Sequence, residues 1–280
     1  MSAPAPSPPA RDGGGPVPWA DRGAAAHWPA VRTWDFDRLA EVVPELPVTL
    51  VVGERERGRT RVRTTYLAAY LRALGTHEDS VRGLYLKEFD LLRAAPALRD
   101  DLCPQELFPR GAVTSSSAWI GPTGARTGLH YDLLDNVAVQ LVGRKRFRLL
   151  PPGSVQRVGA LSPRYDKWAR LSRLTAEEVT QQEAHRAAGG PGVLTVDLDP
   201  GDVLHVPAGW WHEVENLSPG VLLSGFHGVQ PTVGLLWMRE SARHAAHLVR
   251  MVGRNGCTCH SDAETAHRPE RHPTDRHEQP

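Results

Sequence analysis

A candidate metal site is the most informative feature of the sequence. His130 and Asp132 stand two residues apart, and His212 lies further along the chain at the end of the segment 209–212. Two imidazoles and one carboxylate can bind one face of an Fe(II) ion and leave its other positions open for a co-substrate and oxygen. These residue types therefore predict the ligand set of a non-haem iron oxygenase.

The spacing says which elements must position the three ligands. On an extended strand, His130 and Asp132 point to the same face and could chelate one ion. His212 follows a turn and an apolar stretch at residues 200–207, as expected for a second strand that brings in a third ligand. Thirteen histidines in 280 residues also produce such pairs by chance. The motif alone fits equally well two hydrogen-bonded core histidines and a turn aspartate.

Longer segments around these residues resemble a known family. As they stand in the sequence, they are HWPA at residues 27–30 with Trp34, YLK at 85–87 with PAL at 96–98, WIGP at 119–122, TGLHYD at 127–132, NVAVQ at 136–140, GRKRF at 143–147, LPP at 150–152, GDVL at 201–204 and WWH at 210–212. Together they resemble the cupin-like branch of the JmjC hydroxylases, and are similar to the asparaginyl hydroxylase that inhibits hypoxia-inducible factor and to the tRNA wybutosine hydroxylase.

The resemblance implies that His130, Asp132 and His212 hold Fe(II), with 2-oxoglutarate chelating the iron through its keto acid end. It implies further that Lys145 and Thr127 bind the distal carboxylate of this co-substrate. A dianion that enters a partly dry barrel needs its far charge neutralised. The alternative for Lys145 is a solvated charge on a hairpin, next to two arginines.

Two further residues have implied roles near the co-substrate. Tyr85 would be a third donor to the distal carboxylate, and Asn136 would lie near the metal and the co-substrate. The alternative for Asn136 is an ordinary turn residue after Asp135.

One position departs from the family pattern. Many relatives have an asparagine fifteen residues after the last ligand histidine, where this chain has His227. If residues 217–220 form a hairpin turn, His227 lies on the same sheet face as His212 and faces the metal. It would then donate to the iron-bound carboxylate or be a fourth ligand. The alternative is a surface histidine beyond the strand end.

The pattern of short strands separated by Gly and Pro turns predicts a mainly β fold, a double-stranded β-helix or jelly roll with flanking α-helices. The predicted strands are residues 47–52, 118–120, 129–132, 136–142, 145–150, 193–196, 203–206, 211–215 and 221–226. The predicted helices are residues 35–43, 65–74, 172–188 with Thr175 and Glu178 as a capping box, and an amphipathic helix from 234 to about 252. Between the ligand strands, residues 161–192 either shape substrate access or form a plain surface excursion.

The expected domain organisation is a disordered leader (1–20), an oxygenase domain (21–233), a C-terminal helix (234–253) and a disordered tail (254–280). The C-terminal helix would either form a homodimer or pack on its own barrel. We expect no signal peptide and no membrane span.

Charge and cysteine content narrow the class of protein. A formal net charge of +1 gives no global field that would indicate a nucleic-acid or membrane partner. Arginines alternate from Arg55 to Arg63 and could track phosphates, but a charged edge strand is the commoner explanation. The three cysteines predict neither a disulfide framework nor a zinc site, because the CTCH motif at residues 257–260 lacks the usual zinc spacing and a second half. A reducing, cytoplasmic location fits.

The sequence thus predicts an Fe(II)- and 2-oxoglutarate-dependent dioxygenase that uses O2 and releases succinate and CO2. Its expected substrate is a C–H bond of a protein or peptide side chain, or of a small metabolite. The alternatives are a non-catalytic metal-binding cupin that holds its ion through His130, Asp132, His212 and His227, and a tRNA-base hydroxylase. A metal-dependent isomerase on the same barrel would more usually carry a second histidine in place of Asp132.

Overall fold

The structure is a computed structural model of the 280-residue chain, and it describes residues 16–58, 60–107, 113–186, 192–228, 231–253 and 256–260. Its strands are β1 (Trp19–Asp21), β2 (Pro47–Val52), β3 (Arg61–Tyr66), β4 (Leu84–Phe89), β5 (Val113–Gly121), β6 (Arg126–Asp132), β7 (Asp135–Val142), β8 (Lys145–Leu150), β9 (Ala169–Leu171), β10 (Leu194–Leu198), β11 (Val203–Val206), β12 (Trp211–Asn216) and β13 (Gly220–Gly228). Its helices are α1 (Pro29–Thr33), α2 (Phe36–Val42), α3 (Leu67–Gly75), α4 (Leu91–Ala94), α5 (Ser154–Arg157), α6 (Ala176–Arg186) and α7 (Thr232–Leu248), with 3-10 turns at Asp79–Val81, Pro96–Asp101 and Pro104–Glu106.

The strands form two antiparallel sheets. The larger sheet has the order β1-β11-β7-β13-β5-β4-β2-β3, and the smaller has the order β10-β8-β12-β6-β9. Apolar side chains from both sheets form one buried layer between them, which includes Ala138, Leu204 and Leu222 on the larger sheet and Phe147, Leu149 and Val214 on the smaller. This is the mainly β jelly roll that the sequence predicts.

Helices cover the outer face of the larger sheet. The alternate residues of β7 and β13 that point away from the smaller sheet, such as Val139 and Leu223, share a buried cluster with Leu39 of α2 and Leu71 of α3. Burying this second face stabilises the sheet at about 25 cal/mol per Å² of apolar area. One sheet face therefore carries the helices, and the other is left for the site.

Local signals in the sequence specify several element ends. The Asp35 carboxylate accepts from the Arg38 backbone N–H and caps α2. The predicted capping box of α6 is confirmed, since the Thr175 N–H donates to the Glu178 carboxylate and the Glu178 N–H donates to the Thr175 hydroxyl. The last predicted helix ends earlier than expected, at Leu248.

Both ends of the folded part extend beyond the expected domain. Strand β1 pairs with β11, and Trp19 stacks on His205 with 3.8 Å between ring centroids. The Trp210 indole donates to the Pro16 carbonyl. The predicted disordered leader is therefore wrong for residues 16–20, because an aromatic anchor offsets the cost of ordering them; residues 1–15 lie outside the described residues.

At the other end, residues 256–260 pack against Tyr165, so the predicted disordered tail is also wrong for this segment. Residues 254–255 and 261–280 lie outside the described residues. Strands β1, β4 and β9 were not predicted.

The proposed basic edge is also corrected. Residues 54–58 form a turn rather than an extended strand, and Arg55 points inward to pair with Glu56 and Glu88. Arg61 and Arg63 of the same run are exposed on β3, an edge strand of the larger sheet, as the charged-edge explanation expects. Among the helices in the described ranges, none is long and apolar enough to cross a membrane.

Candidate metal centre

The three predicted metal ligands lie together between the two sheets. His130 and Asp132 are on β6, His212 is on the neighbouring β12, and the two histidines are directly opposite each other in the ladder. Asp132 Oδ1 lies 3.9 Å from His130 Nε2, and Asp132 Oδ2 lies 3.5 Å from His212 Nε2. One ligand atom from each residue lies within 4.8 Å of the others, so a single ion can reach all three.

Backbone carbonyls fix both imidazoles in the orientation that a metal requires. His130 Nδ1 lies 2.8 Å from the Gly128 carbonyl, and His212 Nδ1 lies 3.1 Å from the Trp210 carbonyl. Because a carbonyl can only accept, each Nδ1 carries the hydrogen and each Nε2 presents a lone pair. Such outer hydrogen bonds commonly orient histidines that bind metals.

The protonation states also suit a divalent cation. Burial lowers the pKa of His130, and it lowers the pKa of His212 to about 4, so both rings are neutral ligands near neutral pH. Burial raises the pKa of Asp132 to about 6, although His130 and the Asn136 amide lower it. A bound cation would offset the cost of burying the Asp132 carboxylate. This explains why a carboxylate is buried at this position.

A small chamber between the sheets adjoins the triad and contains Lys145. This lysine begins β8 and is only 1% exposed. Its ammonium donates to the Tyr85 phenol oxygen at 2.6 Å, and no carboxylate in the described part of the chain pairs with it. Burial, assisted by the charge of Lys87, holds its pKa well below the usual range. The chamber therefore has a strong requirement for an anion.

Two hydroxyls complete the donor set of the chamber. The Tyr85 phenol accepts from Lys145, so its own O–H is left to donate, and burial raises its pKa. The buried Thr127 hydroxyl approaches Tyr85 without forming a well-shaped hydrogen bond, and it keeps its capacity for another partner. A Cβ at Gly121 would lie 2.6 Å from the Tyr85 ring, so a glycine is needed to admit the phenol here.

Asn136 lies on β7 of the larger sheet and faces the triad. Its amide Nδ2 donates to Asp132 Oδ2 at 3.4 Å. Its Oδ1 is buried without a partner in the described structure. The residue is thus not a solvated turn residue, and it can orient the carboxylate from across the site.

A buried ion pair that the sequence analysis missed supports the site from behind. Lys87 donates to both oxygens of Glu56, at 2.9 and 3.0 Å, and Glu56 accepts from the Gly128 N–H at 3.2 Å. The carbonyl of the same glycine orients His130. Burial raises the pKa of Glu56, but the charges of Lys87 and Arg55 prevail and lower it to about 2. The sequence signal for this ion pair was Lys87, a lysine within the apolar strand β4.

His227 does not lie where the sequence analysis placed it. Strands β12 and β13 belong to different sheets, so His227 and His212 do not share a sheet face. Ser224 and Phe226 point to the interior, and His227 has the opposite parity, across from Asp135. The predicted second-layer or fourth-ligand role is wrong, because the chain crosses between sheets where a simple hairpin was assumed.

A cavity of about 540 Å³ opens over the triad and shares His130 and Asp132 with the chamber. Its walls include Trp237 of α7, Cys259, and Trp168 from the segment 161–192 between the ligand strands. This segment thus contributes to access through its residues 166–171 rather than through α6. A separate cleft of about 670 Å³ beside residues 53–58 contains none of the three ligands.

Two facing antiparallel sheets with a His-x-Asp…His set between them define a double-stranded β-helix metalloprotein of the cupin type. The family model described as Cupin-like domain matches residues 15–232, and the chain belongs to this family. Proteins of this JmjC and cupin-like family use Fe(II) and 2-oxoglutarate, with which the His130, Asp132 and His212 group is consistent. The predicted family and cofactors are confirmed at this level.

Several curated proteins are similar to the chain over part of their length. The chain is 28% identical over 204 residues to lysine-specific demethylase JMJ30 of Arabidopsis thaliana, covering 71% of this chain and 47% of that protein. It is 26% identical over 209 residues to Jumonji C domain-containing protein 5 of Drosophila melanogaster, covering 71% and 51%. Human HSPB1-associated protein 1 is 33% identical over 115 residues, covering 40% and 23%. The chain thus spans about half the length of the first two relatives.

Proposed function

We propose that this chain is an Fe(II)- and 2-oxoglutarate-dependent oxygenase. The observation that carries the proposal is the buried Lys145 ammonium, which lies in the chamber beside the triad and meets no carboxylate in the part of the chain that the structure describes. A barrel that only stored a metal ion would need no unpaired cation next to it. The distal carboxylate of a keto dicarboxylic acid is the anion that fits a cation at this place.

Each residue of the site then has a task. His130, Asp132 and His212 hold the ion from one side, and Lys145 and the Tyr85 hydroxyl bind and orient the distal carboxylate. When bound, iron and 2-oxoglutarate supply an O2-dependent oxidation of a C–H bond, coupled to release of succinate and CO2. Apolar side chains of the chamber, such as Phe147, exclude water from these contacts.

The proposed substrate is a protein or peptide side chain, which is hydroxylated. The cavity of about 540 Å³ over the triad is wide enough for a side chain. Removal of methyl groups from lysine is a second candidate. It starts with the same C–H oxidation, relatives such as JMJ30 are named lysine-specific demethylases, and Asp166 and Trp237 on the cavity wall suit a cationic group.

The test is an anaerobic titration of the Fe(II)-loaded protein with 2-oxoglutarate, followed by the visible charge-transfer band of a chelated keto acid. We expect the band in the wild type, its loss in Asp132→Ala, and a much higher 2-oxoglutarate requirement in Lys145→Met. Arg144→Met is the matched control, because Arg144 is exposed on the adjoining hairpin. Iron binding without a band would favour the non-catalytic cupin.

A peptide screen by mass spectrometry separates the two candidate reactions. Gain of one oxygen atom on an unmodified side chain would support hydroxylation, whereas loss of a methyl group from methylated lysine would support demethylation. Turnover of a small metabolite or a tRNA base, with no change in any peptide, would overturn the proposed substrate class while leaving the oxygenase assignment intact.

A further inference from the structure

A second group of metal-binding side chains lies at the end of α7, away from the triad. His247, Cys257, Cys259 and His260 each direct one nitrogen or sulfur atom to a common point, and these atoms lie within 4.8 Å of one another. His247 is in the last turn of α7, and the other three residues come from the segment 256–260. Both cysteines are free thiols.

The separations match a tetrahedral ion. Zinc bonds of about 2.3 Å to sulfur and about 2.0–2.1 Å to nitrogen place neighbouring ligand atoms about 3.3–3.8 Å apart. In the structure, His260 Nδ1 lies 3.4 Å from His247 Nε2, 3.1 Å from Cys257 Sγ and 3.4 Å from Cys259 Sγ. Cys259 Sγ lies 3.4 Å from His247 Nε2. The distances from the two sulfur atoms to the nitrogen atoms are slightly shorter than these ideal values.

The orientation of His247 also indicates a ligand. Its Nδ1 lies 2.9 Å from the Val252 carbonyl, so Nδ1 carries the hydrogen and Nε2 presents its lone pair to the cluster. The Tyr165 ring stacks on the imidazole with 3.9 Å between centroids and 12° between planes, which fixes its rotation. Carbonyl and ring contacts of this kind hold metal-binding histidines in place.

The backbone of the surrounding loop is shaped to return the chain to His247. Gly253 has a φ of 68° and Gly256 has a φ of 112°, a region in which glycine is favoured. A Cβ on Gly253 would lie 2.3 Å from Tyr165 Cβ. Glycine at this position lets the loop pass directly under the tyrosine.

Three further contacts dock the cysteine segment onto the barrel. The Thr258 N–H donates to the Tyr165 carbonyl at 3.1 Å, and the Cys257 carbonyl accepts from Arg164 at 2.6 Å and from the Thr60 hydroxyl at 2.9 Å. The cluster therefore joins two parts of the chain that are both already held in position.

We propose that His247, Cys257, Cys259 and His260 bind one structural Zn²⁺ ion. Two thiolates and two imidazoles are a ligand set that zinc prefers, and four protein ligands close the site to substrate. This corrects the expectation that the CTCH motif lacks the second half of a zinc site, since α7 supplies the missing ligand. Because Thr258 and Cys259 line the cavity over the triad, the ion would fix one wall of that cavity.

The first experiment measures metal content in the full chain, purified without an affinity tag, loaded with zinc and dialysed against a weak chelator. We expect about one tightly bound zinc ion per chain, retained in His130→Ala/His212→Ala and in Cys103→Ser, and lost in Cys257→Ser/Cys259→Ser. Loading with Co²⁺ instead should give a thiolate-to-cobalt charge-transfer band with the same dependence on these variants. Wild-type cobalt protein without this band would overturn the proposal.

A measurement on the wild type covers the case in which the double cysteine variant does not fold. A mercurial thiol reagent is added stepwise, and released zinc is followed with a colorimetric chelator. We expect release in step with modification of the two cluster thiols. Zinc that stays bound after all three cysteines have reacted, or that is held only by the triad or by histidines beyond residue 260, would overturn the proposal.

Discussion

Two buried lysines lie near the ring of Tyr85, and they differ in whether they have a carboxylate partner. Lys87 Nζ lies 5.3 Å and Lys145 Nζ lies 5.0 Å from the ring centroid, and both side chains are buried. Lys87 has a carboxylate partner in Glu56, whereas within the described ranges Lys145 donates to the phenol oxygen of Tyr85 and to no carboxylate. Near the same ring, one lysine thus forms a complete ion pair and the other has no carboxylate partner among the described residues.

The difference distinguishes a lysine that supports the metal ligands from a lysine that is available to bind a ligand. A buried charge without a partner costs several kcal/mol, so a chain keeps one only where a partner arrives later. The Lys87 pair is complete without any ligand, and it holds Gly128 and thereby His130. The Lys145 position becomes complete only when an anion enters the chamber.

The largest expected effect is on stability, from Lys87→Met. Removing Lys87 takes both of its hydrogen bonds from the buried Glu56 carboxylate and leaves Arg55, at 3.4 Å, as its remaining charge partner. This loss should lower the free energy of unfolding by about 3 kcal/mol at neutral pH. Chemical denaturation measures it. Lys167→Met, a change at a partly exposed lysine, should stay within about 0.5 kcal/mol.

The pH dependence of this loss has a definite sign. In the wild type, the pKa of Glu56 is lowered from 4.5 to about 2, so its contribution is complete above 4.5 and is lost as the pH falls toward 2. Without Lys87, the carboxyl is protonated at higher pH. The deficit of the variant should therefore shrink below pH 4.5, and a deficit that grows there would contradict the pairing.

The same substitution at the second lysine should act on binding rather than on folding. Lys145→Met removes an unpaired buried cation, so the unfolding free energy without ligand should not fall. The affinity for 2-oxoglutarate should drop about 100-fold, which corresponds to about 3 kcal/mol. Anaerobic calorimetry and denaturation together measure both effects. Equal destabilisation by Lys87→Met and Lys145→Met would remove the distinction between the two lysines.

Proton uptake gives an independent test of Lys145. Burial lowers the pKa of its ammonium in the free protein, and a bound carboxylate would raise it. Between these two values, binding takes up a proton, so the affinity for 2-oxoglutarate should fall as the pH rises through this interval. Titrations in buffers of different ionisation enthalpy measure the uptake, which should be absent in Lys145→Met.

A smaller effect is expected from Tyr85→Phe. The change removes the hydrogen-bond partner that the Lys145 ammonium has among the described residues and one donor to the ligand, but it keeps the ring that both lysines contact. We expect about 10-fold weaker 2-oxoglutarate binding, from a hydrogen bond worth about 1.5 kcal/mol. The titration that is used for Lys145→Met measures it, and unchanged affinity would mean that the phenol does not face the ligand.

Two of the three ligands have a local signal in the sequence, and the third was assigned through the family resemblance. A spacing of two residues on a strand specifies a common face for His130 and Asp132, whatever the rest of the fold. The position of His227 could not be predicted, because the sequence does not show that the chain changes sheets between β12 and β13. The jelly roll itself followed from strand and turn patterns.

Long-range pairs account for the other misses. Glu56 and Lys87 are 31 residues apart, on a turn and a strand, and neither local pattern points to the other. His247 joins the cysteine cluster only because the chain reverses at Gly253 and Gly256. Side chains that meet through such reversals have no characteristic spacing in the sequence. For this reason the sequence alone did not predict the zinc cluster.

The smallest effect should come from Thr127→Val, which keeps the shape of the side chain and removes its hydroxyl. Since this hydroxyl is buried without a well-formed hydrogen bond, the free protein should lose no stability and could gain some. The affinity for 2-oxoglutarate should fall about threefold to fivefold, from a neutral hydrogen bond of about 0.5–1 kcal/mol. In Thr127→Val/Lys145→Met, the two losses should be less than additive, because both groups bind the same carboxylate. Full additivity would place the hydroxyl on another part of the ligand.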